Sequence, residues 1–434
     1  MSKDKSQLIK LDIKRYSAKS LKILEALKRE VKGQDRSLLN IVDAFEIKNA
    51  GLRSPNRTIC NEMLLGPSGV GKSETARAVA LTTLGNREYL TKIDCHDYQA
   101  SHEISRLFGA PPGYLGHGNS CILDQINIDS HALKAEMAKY PSISPLRVAE
   151  ADLRAIEREI WKLIDERYEV PSTKMLVARI DWIDQRLQAL NRQRREMNNR
   201  IHALITAHTG SDLKNLFSVI VFEEIEKAHP ALWNALLAIT GDAKITLANG
   251  DITRFDNSAI FLTSNVGSEA IAKVVSDKLG PGFHFERKKH ADKGQLSYDA
   301  AKKAADATFP AEFMGRVNVS VYRHLSNETL FEIFDLEMLK FEENFLAKDY
   351  IQLKVSEELE NLIIKESTDR QQSGARLLAH KISKYLLRYF ARLKNRGELD
   401  KGDTIHVFLG ADGEPEFYRE PRLLDPIEKI MHLL

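Results

Sequence analysis

The stretch "NEMLLGPSGVGKSETARAVA", Asn61 to Ala80, constrains this chain more than any other. A short apolar run that reads as a strand passes into Gly66-Pro67-Ser68-Gly69-Val70-Gly71-Lys72-Ser73, and a helical pattern follows. This is the GxxxxGK[ST] spacing between a strand and a helix, the context in which such a loop wraps phosphate. Gly66, Gly69 and Gly71 let the backbone curl so that its N–H groups point inward, and the new helix adds the positive end of its dipole. Lys72 is placed to bridge the β- and γ-phosphates of a nucleotide, and Ser73 to ligate Mg2+. Gly66 through Ser73 are therefore the candidate phosphate site.

A phosphate loop of this kind needs carboxylates at the end of a neighbouring strand. "LFSVIVFEEIEKAHP", Leu216 to Pro230, has the continuous apolar run of a strand buried on both faces of a parallel sheet, and it ends in Glu223-Glu224. Glu223 is the candidate for holding hydrated Mg2+, and Glu224 for orienting and polarising an attacking water. A second such strand, "SAIFLTSN", ends in Asn265, within reach of a γ-phosphate or the water. Between the phosphate loop and the Leu216 strand lies "FGAPPGYLGHGNS", Phe108 to Ser120, where glycines and prolines surround Tyr114. Glycine opens the backbone and proline fixes it, so this is a loop. Its tyrosine reads either as a packing anchor for a surface turn or as a contact group.

Composition excludes several function classes. The 434 residues suffice for two or three domains, and 63 basic against 61 acidic residues argue against a general nucleic-acid or membrane-surface binder. No apolar run is long enough to span a bilayer, and the first twenty residues lack the apolar core of a signal peptide. Cys60, Cys95 and Cys121 form no CxxC pair and read as reduced thiols of a cytoplasmic protein. The thirteen histidines show no metal-ligand spacing, so no zinc site is expected.

Taken in order, these pieces resemble the Clp-type AAA+ unfoldases, in particular the second ATPase module of ClpB, ClpA and ClpC. The resemblance runs from "VKGQDRSLLNIVDAFEIKNAGLRSPNRTICNEMLLGPSGVGKS" through "SRLFGAPPGYLGHG", "VFEEIEKAHPALWNALL" and "FLTSNVGS" to "FPAEFMGRV" and "SGARLL", and covers nearly all of residues 28 to 410 apart from two inserted stretches. It implies a P-loop parallel sheet flanked by helices, a small and mainly helical lid, ATP and Mg2+ as cofactors, and a homo-oligomer, a hexameric ring, acting on unfolded or assembled protein. In such a ring the GYxG loop faces the pore, so Gly113, Tyr114, Leu115 and Gly116 would grip polypeptide, with Tyr114 as the paddle. Lys244 to Asp251 match a second pore loop. Arg316 matches the arginine finger that reaches the neighbouring subunit's nucleotide, Arg376 the sensor arginine of the lid, and Asn265 the first sensor.

The chain departs from the family at several positions. Glu223 stands where the family usually has Asp, Gly315 where it has Asn, and Pro310 where it has Arg; Lys32 replaces an apolar residue near the expected adenine pocket. Together these imply retuned or slowed hydrolysis.

Nearly a hundred residues separate Gly118 from Leu216, where the family needs a short segment. Leu146, Ala149, Leu153, Ile156, Ile160 and Leu163 recur at heptad spacing. So do Ile180, Ile183, Leu187, Leu190, Met197, Ile201 and Leu204, interrupted by Arg194. "YEVPSTK" separates the two runs, so an antiparallel coiled-coil hairpin is expected, its longer arm reaching roughly 50 Å at about 1.5 Å per residue. It is either a helical decoration packed on the core or a projecting arm for an adaptor.

The expected domains are an N-terminal segment and helix (1–30), a large subdomain (31–325) carrying the inserted hairpin (142–212), a lid (326–420) closed by a β-hairpin turning at Ala411-Asp412-Gly413, and an apolar tail (421–434). No N-terminal substrate-binding domain is expected before the ATPase module. Pro281-Gly282-Phe283, in a second insertion, is a poor match to a protease-docking loop, so no protease partner is expected. The sequence therefore reads as an ATP-dependent protein unfoldase or remodeller. An ATP-regulated assembly scaffold is the alternative, followed by a nucleic-acid motor.

Overall fold

The protein is described from a computed structural model covering residues 12–109, 121–169, 177–209, 216–275, 293–346, 348–368 and 374–421. Gly113, Tyr114, Leu115 and Gly116, the centre of the turn between the hairpin arms, Pro281-Gly282-Phe283 and nearly all of the apolar tail lie outside the described residues.

Two helices, α1 (Ala18–Glu30) and α2 (Asp35–Asn49), precede the first strand. Ser17 caps α1 by accepting from the Ser20 N–H. Then follow β1 (Cys60–Leu65), α3 (Lys72–Leu84), β2 (Thr91–Asp94), the single turn α4 (Ser105–Phe108), α5 (Gln125–Ala138), and the two long helices α6 (Ser144–Glu169) and α7 (Val177–Thr209). The chain returns through β3 (Ser218–Glu223), α8 (Pro230–Asp242), β4 (Lys244–Thr246), β5 (Ile252–Arg254), β6 (Ser258–Ser264), α9 (Ser268–Val275), α10 (Lys293–Thr308), α11 (Ala311–Met314) and β7 (Asn318–Val321).

Strands β2, β3, β6, β1 and β7 lie side by side in that order, all parallel. The apolar runs that predict buried strands are buried on both faces. Met63, Leu65, Ile220, Phe222, Ile260 and Leu262 enter one core with α8 and α10. Their alternates Leu64, Val219, Val221, Ala259 and Phe261 enter the other, against α1, α2 and α3. That two-sided burial is why these strands read as unbroken hydrophobic stretches. Because the strands are parallel, their carboxyl ends share one edge of the sheet, and the Gly66 loop, Glu223-Glu224 and Asn265 all leave from it.

Residues 327–419 form a smaller unit around its own core: α12 (Asn327–Phe341), β8 (Gln352–Val355), α13 (Glu357–Thr368), α14 (Gly374–Ile382), α15 (Arg388–Asn395), β9 (Thr404–Leu409) and β10 (Pro415–Arg419). Strands β9 and β10 pair antiparallel around Gly413, whose φ of 82° needs glycine. Strand β8, which the sequence reading missed, adds to β9 in parallel. It is only four residues long and half exposed, so it carries no apolar run.

Helices α6 and α7 pack against each other along their length. Near the sheet they share a core with α5, made of Leu133, Met137, Leu146, Ala149, Leu153, Ile201 and Ile205. Farther out, Ile160, Leu163, Ile183, Leu187 and Leu190 form a cluster that, among the described residues, is made by the two arms alone. Among the described residues no helix is long and apolar enough to cross a membrane.

Candidate nucleotide site

Positive φ angles at Gly66 (152°), Gly69 (75°) and Gly71 (102°) turn the loop between β1 and α3. Gly66 is also fixed by space, since a Cβ there would lie 2.6 Å from the Tyr322 carbonyl oxygen. Helix α3 starts at Gly71, which has no side chain to cap it, so its first-turn N–H groups are free to meet an anion. Lys72 is buried and donates to the carbonyls of Gly66 (2.5 Å) and Pro67 (2.7 Å) and to Asn265 Oδ1 (2.9 Å). Burial lowers its pKa to about 8, opposed by the Glu226 and Glu224 carboxylates and aided by the Arg376 guanidinium.

Opposite the loop stand the carboxylates. Glu223 closes β3, and its Oε2 is 2.7 Å from Lys92 Nζ on β2. Glu224 follows in the left-handed region, at φ 54°, a conformation uncommon outside glycine. The Glu224 N–H donates to Thr263 Oγ1 (3.2 Å), its Oε2 lies 2.6 Å from His96 Nε2, and its Oε1 is 3.5 Å from Asn265 Nδ2. The Asn265 N–H in turn donates to Glu226 Oε1 (3.1 Å).

The lid closes the third side. Gly374, at φ 46°, is so near the loop that a Cβ there would come within 2.6 Å of the Gly69 carbonyl oxygen, and the Ala375 N–H donates to that oxygen at 2.9 Å. One turn of α14 therefore sits on the phosphate loop and brings Arg376 to the cavity wall. The cavity is about 490 Å3 and runs from Ser73, Glu223 and Glu224 to Val31, Lys32, Leu325 and Ile333. Val31, Leu325, Ile333 and Leu336 supply apolar wall, beside the charged Glu30, Lys32, Glu337 and Lys340. An ammonium, a hydroxyl, unsatisfied helix N–H groups and two carboxylates facing them match a magnesium-bound polyphosphate, so the donor set fits ATP with Mg2+.

Arg316 does not line this cavity; its Nη1 donates to the Leu237 carbonyl (2.5 Å) and its Nη2 to Glu312 Oε1 (2.8 Å). Lys244 to Asp251 span β4 and the turn to β5, away from the cavity. Sequence reasoning missed Lys92, His96 and Glu226. For Glu226 a signal existed, since it follows Glu224 by two residues in "EIEKAHP". For Lys92 and His96 there was none, because they meet partners about 130 residues away.

Residues 57–132 and 203–320 match the AAA domain (Cdc48 subfamily), and residues 325–407 match the C-terminal D2-small domain of ClpB. The AAA match breaks over the segment that α6 and α7 occupy. Chaperone protein ClpB 1 of Thermosynechococcus vestitus is 27% identical over 406 residues, covering 93% of this chain and 35% of the relative. Chaperone protein ClpC1, chloroplastic, of Oryza sativa subsp. japonica is 26% identical over 403 residues, covering 92% and 34%. The ATP-dependent Clp protease ATP-binding subunit ClpA homolog of Cyanidium caldarium is 25% identical over 399 residues, covering 91% and 36%. The chain thus spans about a third of the length of these relatives. A closed-state cryo-EM reconstruction of Hsp104 with ATPγS and FITC casein shares the fold at TM-score 0.60 and 20% identity, covering 92% of this chain and 52% of that one. By its sheet, its phosphate loop and its two matched domains, the chain belongs to the AAA+ proteins as a Clp-type module.

Proposed function

We propose that this chain hydrolyses ATP within a ring, read as a hexamer, and uses the cycle to thread or remodel protein substrates. One observation carries the reading: Lys72 and Ser73 face Glu223 and Glu224 across a single cavity, with the lid helix seated on Gly69. When bound, Mg2+-ATP would supply the phosphoanhydride bond to be cleaved. The chain's own groups have separable roles in this reading. Gly66, Pro67, Ser68, Gly69, Val70 and Gly71 wrap the phosphates, Lys72 neutralises them, and Ser73 with Glu223 holds Mg2+, largely through water. Glu224 takes the proton of the attacking water, Asn265 orients that water, and Arg376 reports the nucleotide to the lid.

Arg316 has no nucleotide to act on in its own chain, and its distance from the cavity supports a role at the neighbouring subunit's site. Gly113, Tyr114, Leu115 and Gly116 are read as the grip on polypeptide. The 142–212 insertion is read as an arm for an adaptor, with Trp161 and Trp182 exposed on its outer half. Cys60, Cys95 and Cys121 are buried and unpaired, which suits a reducing compartment such as the cytoplasm.

The ATPase rate per chain, measured over a range of protein concentrations with and without casein, tests the reading. A rate that rises with concentration and is stimulated by casein supports a ring acting on polypeptide. A rate that is flat in both sinks it. The scaffold alternative, with slow or no turnover, is favoured by the pairing of both carboxylates within the chain, Glu223 with Lys92 and Glu224 with His96. It gains if nucleotide drives assembly without measurable hydrolysis.

A further inference from the structure

Helix α7 reaches the functional face through Arg195. Arg195 Nη2 donates to Asp124 Oδ2 at 3.0 Å and lies 3.4 Å from Asp251 Oδ2. The two partners differ in exposure: Asp124 is buried and Asp251 is half exposed. Asp124 is the N-cap of α5, its Oδ1 accepting from the Ile126 N–H, and its side chain is almost fully buried. It is the fourth residue after the segment 110–120. Asp251 closes the turn between β4 and β5, where it is locked in place: Asn249 Nδ2 donates to its Oδ2 (2.9 Å) and its own N–H donates to Asn249 Oδ1 (3.0 Å).

The same two places are tied to each other. The Ala248 N–H donates to the Phe108 carbonyl at 2.9 Å, joining the β4–β5 turn to the chain that enters 110–120. The chain that leaves it runs alongside, with Ile122 N–H donating to the Arg106 carbonyl and Leu123 N–H to that of Leu107. Arg195 therefore closes a loop of contacts around both flanks of the Tyr114 segment and the β4–β5 turn, and it does so from the inserted hairpin, outside both matched stretches of the AAA domain. The base of the hairpin is held to α5 by its shared core and by Lys134 and Glu157, 3.1 Å apart, so a tilt of the arm moves Arg195 with it.

We propose that Arg195 is a positioning residue that couples the inserted hairpin to both substrate loops, so that whatever binds the arm resets the grip on polypeptide. The consequence for grip rests on the threading reading above; the coupling itself does not. A cation between two carboxylates on different elements holds them at a fixed separation. The buried Asp124 side of this bridge is worth more than the exposed Asp251 side.

The test uses the full chain as wild type, Arg195→Ala and Arg195→Lys. Hydrogen exchange is read at residues 105–109, 121–124 and 244–254, with 60–80 as the internal reference. In Arg195→Ala the three segments are expected to exchange roughly tenfold faster with 60–80 unchanged, and Arg195→Lys to restore part of the protection. Casein-stimulated turnover is expected to lose apparent affinity for casein by about threefold or more while basal turnover stays as in wild type. Unchanged exchange in the three segments overturns the coupling, as does equally faster exchange at 60–80, which would mean a general loss of structure. Faster local exchange in a protein whose wild type ignores casein leaves the coupling intact and overturns the threading reading instead.

Discussion

Lys92 Nζ lies 2.7 Å from Glu223 Oε2, joining the edge strand β2 to the strand end that faces the phosphate loop. Glu223 is one methylene longer than the aspartate that the family usually has here, and it spends part of its charge on this lysine. Lys92 is half exposed, so the pair tunes the site more than it stabilises the fold. Replacing Lys92 with Met frees the carboxylate for hydrated Mg2+. Turnover titrated against free Mg2+ is expected to reach half-maximum at about threefold lower concentration in Lys92→Met, and at more than about tenfold higher concentration in Glu223→Ala. An unchanged Mg2+ dependence in both variants would mean that Glu223 plays no part in holding the ion.

The left-handed turn at Glu224 presents its carboxylate to His96, 2.6 Å away, and the proposed mechanism has that carboxylate accept a proton from water. Replacing His96 with Ala removes that competing partner. Basal turnover is expected to rise about threefold, with nucleotide affinity unchanged. A fall in turnover would instead make His96 the group that positions Glu224.

Gly374 touches the phosphate loop so closely that any side chain must push the lid away. Gly374→Ala is expected to weaken ATP binding by about tenfold or more, because Arg376 moves with α14, while the thermal midpoint changes little. Equilibrium binding of a fluorescent ATP analogue, beside a melting curve, separates the two effects. Unchanged affinity would show that the lid contact is incidental.

Lys72 has its pKa lowered to about 8 by burial. Phosphates favour the charged form, so above pH 8 nucleotide binding must take up a proton, and affinity falls as pH rises. Between pH 7.5 and 9.5 the dissociation constant for ATP is expected to increase by roughly tenfold. Calorimetry in two buffers of different ionisation enthalpy would detect the proton uptake at the higher pH. A flat profile with no proton exchange would contradict this.

Glu62, buried in β1 between β6 and β7, accepts from Ser320 Oγ (2.9 Å) and Asn318 Nδ2 (3.2 Å), yet burial raises its pKa from 4.5 to about 7. The folded state therefore keeps a proton that the unfolded chain loses between those values. Stability from this group is full below about pH 4.5 and declines as pH climbs to 7, by about 3 kcal/mol in all. Glu62→Gln removes the titration. Relative to wild type it is expected to gain about that amount between pH 4.5 and 8, read from denaturant midpoints. A difference independent of pH would mean that the carboxyl titrates normally.

Much of the frame is legible in the sequence because its physics is local. The phosphate loop announces itself by glycine spacing, and β1, β3 and β6 by apolar runs that exist because both faces of the sheet are covered. Glu223, Glu224 and Asn265 could be placed together because each ends such a strand. Strand β2 has only "TKID" and no apolar run, so Lys92 on it and His96 in the turn that follows, which meet the carboxylates, carried no signal. Arg194 and Arg195 illustrate the same limit on the hairpin. Arg194 is visible as a break in the heptads, but the contact of its neighbour with Asp124 and Asp251 depends on how α7 lies against α5 and β5. Whether Arg316 belongs to a site is a matter of a second subunit, which no spacing within one chain encodes.

The most direct measurement is ATP turnover by Glu224→Gln beside wild type, with bound nucleotide quantified in the same samples. If this cavity hydrolyses ATP with Glu224 as the base, the variant should bind ATP at least as well as wild type and turn it over at least about a hundredfold more slowly. Equal turnover in the two proteins would contradict the central claim.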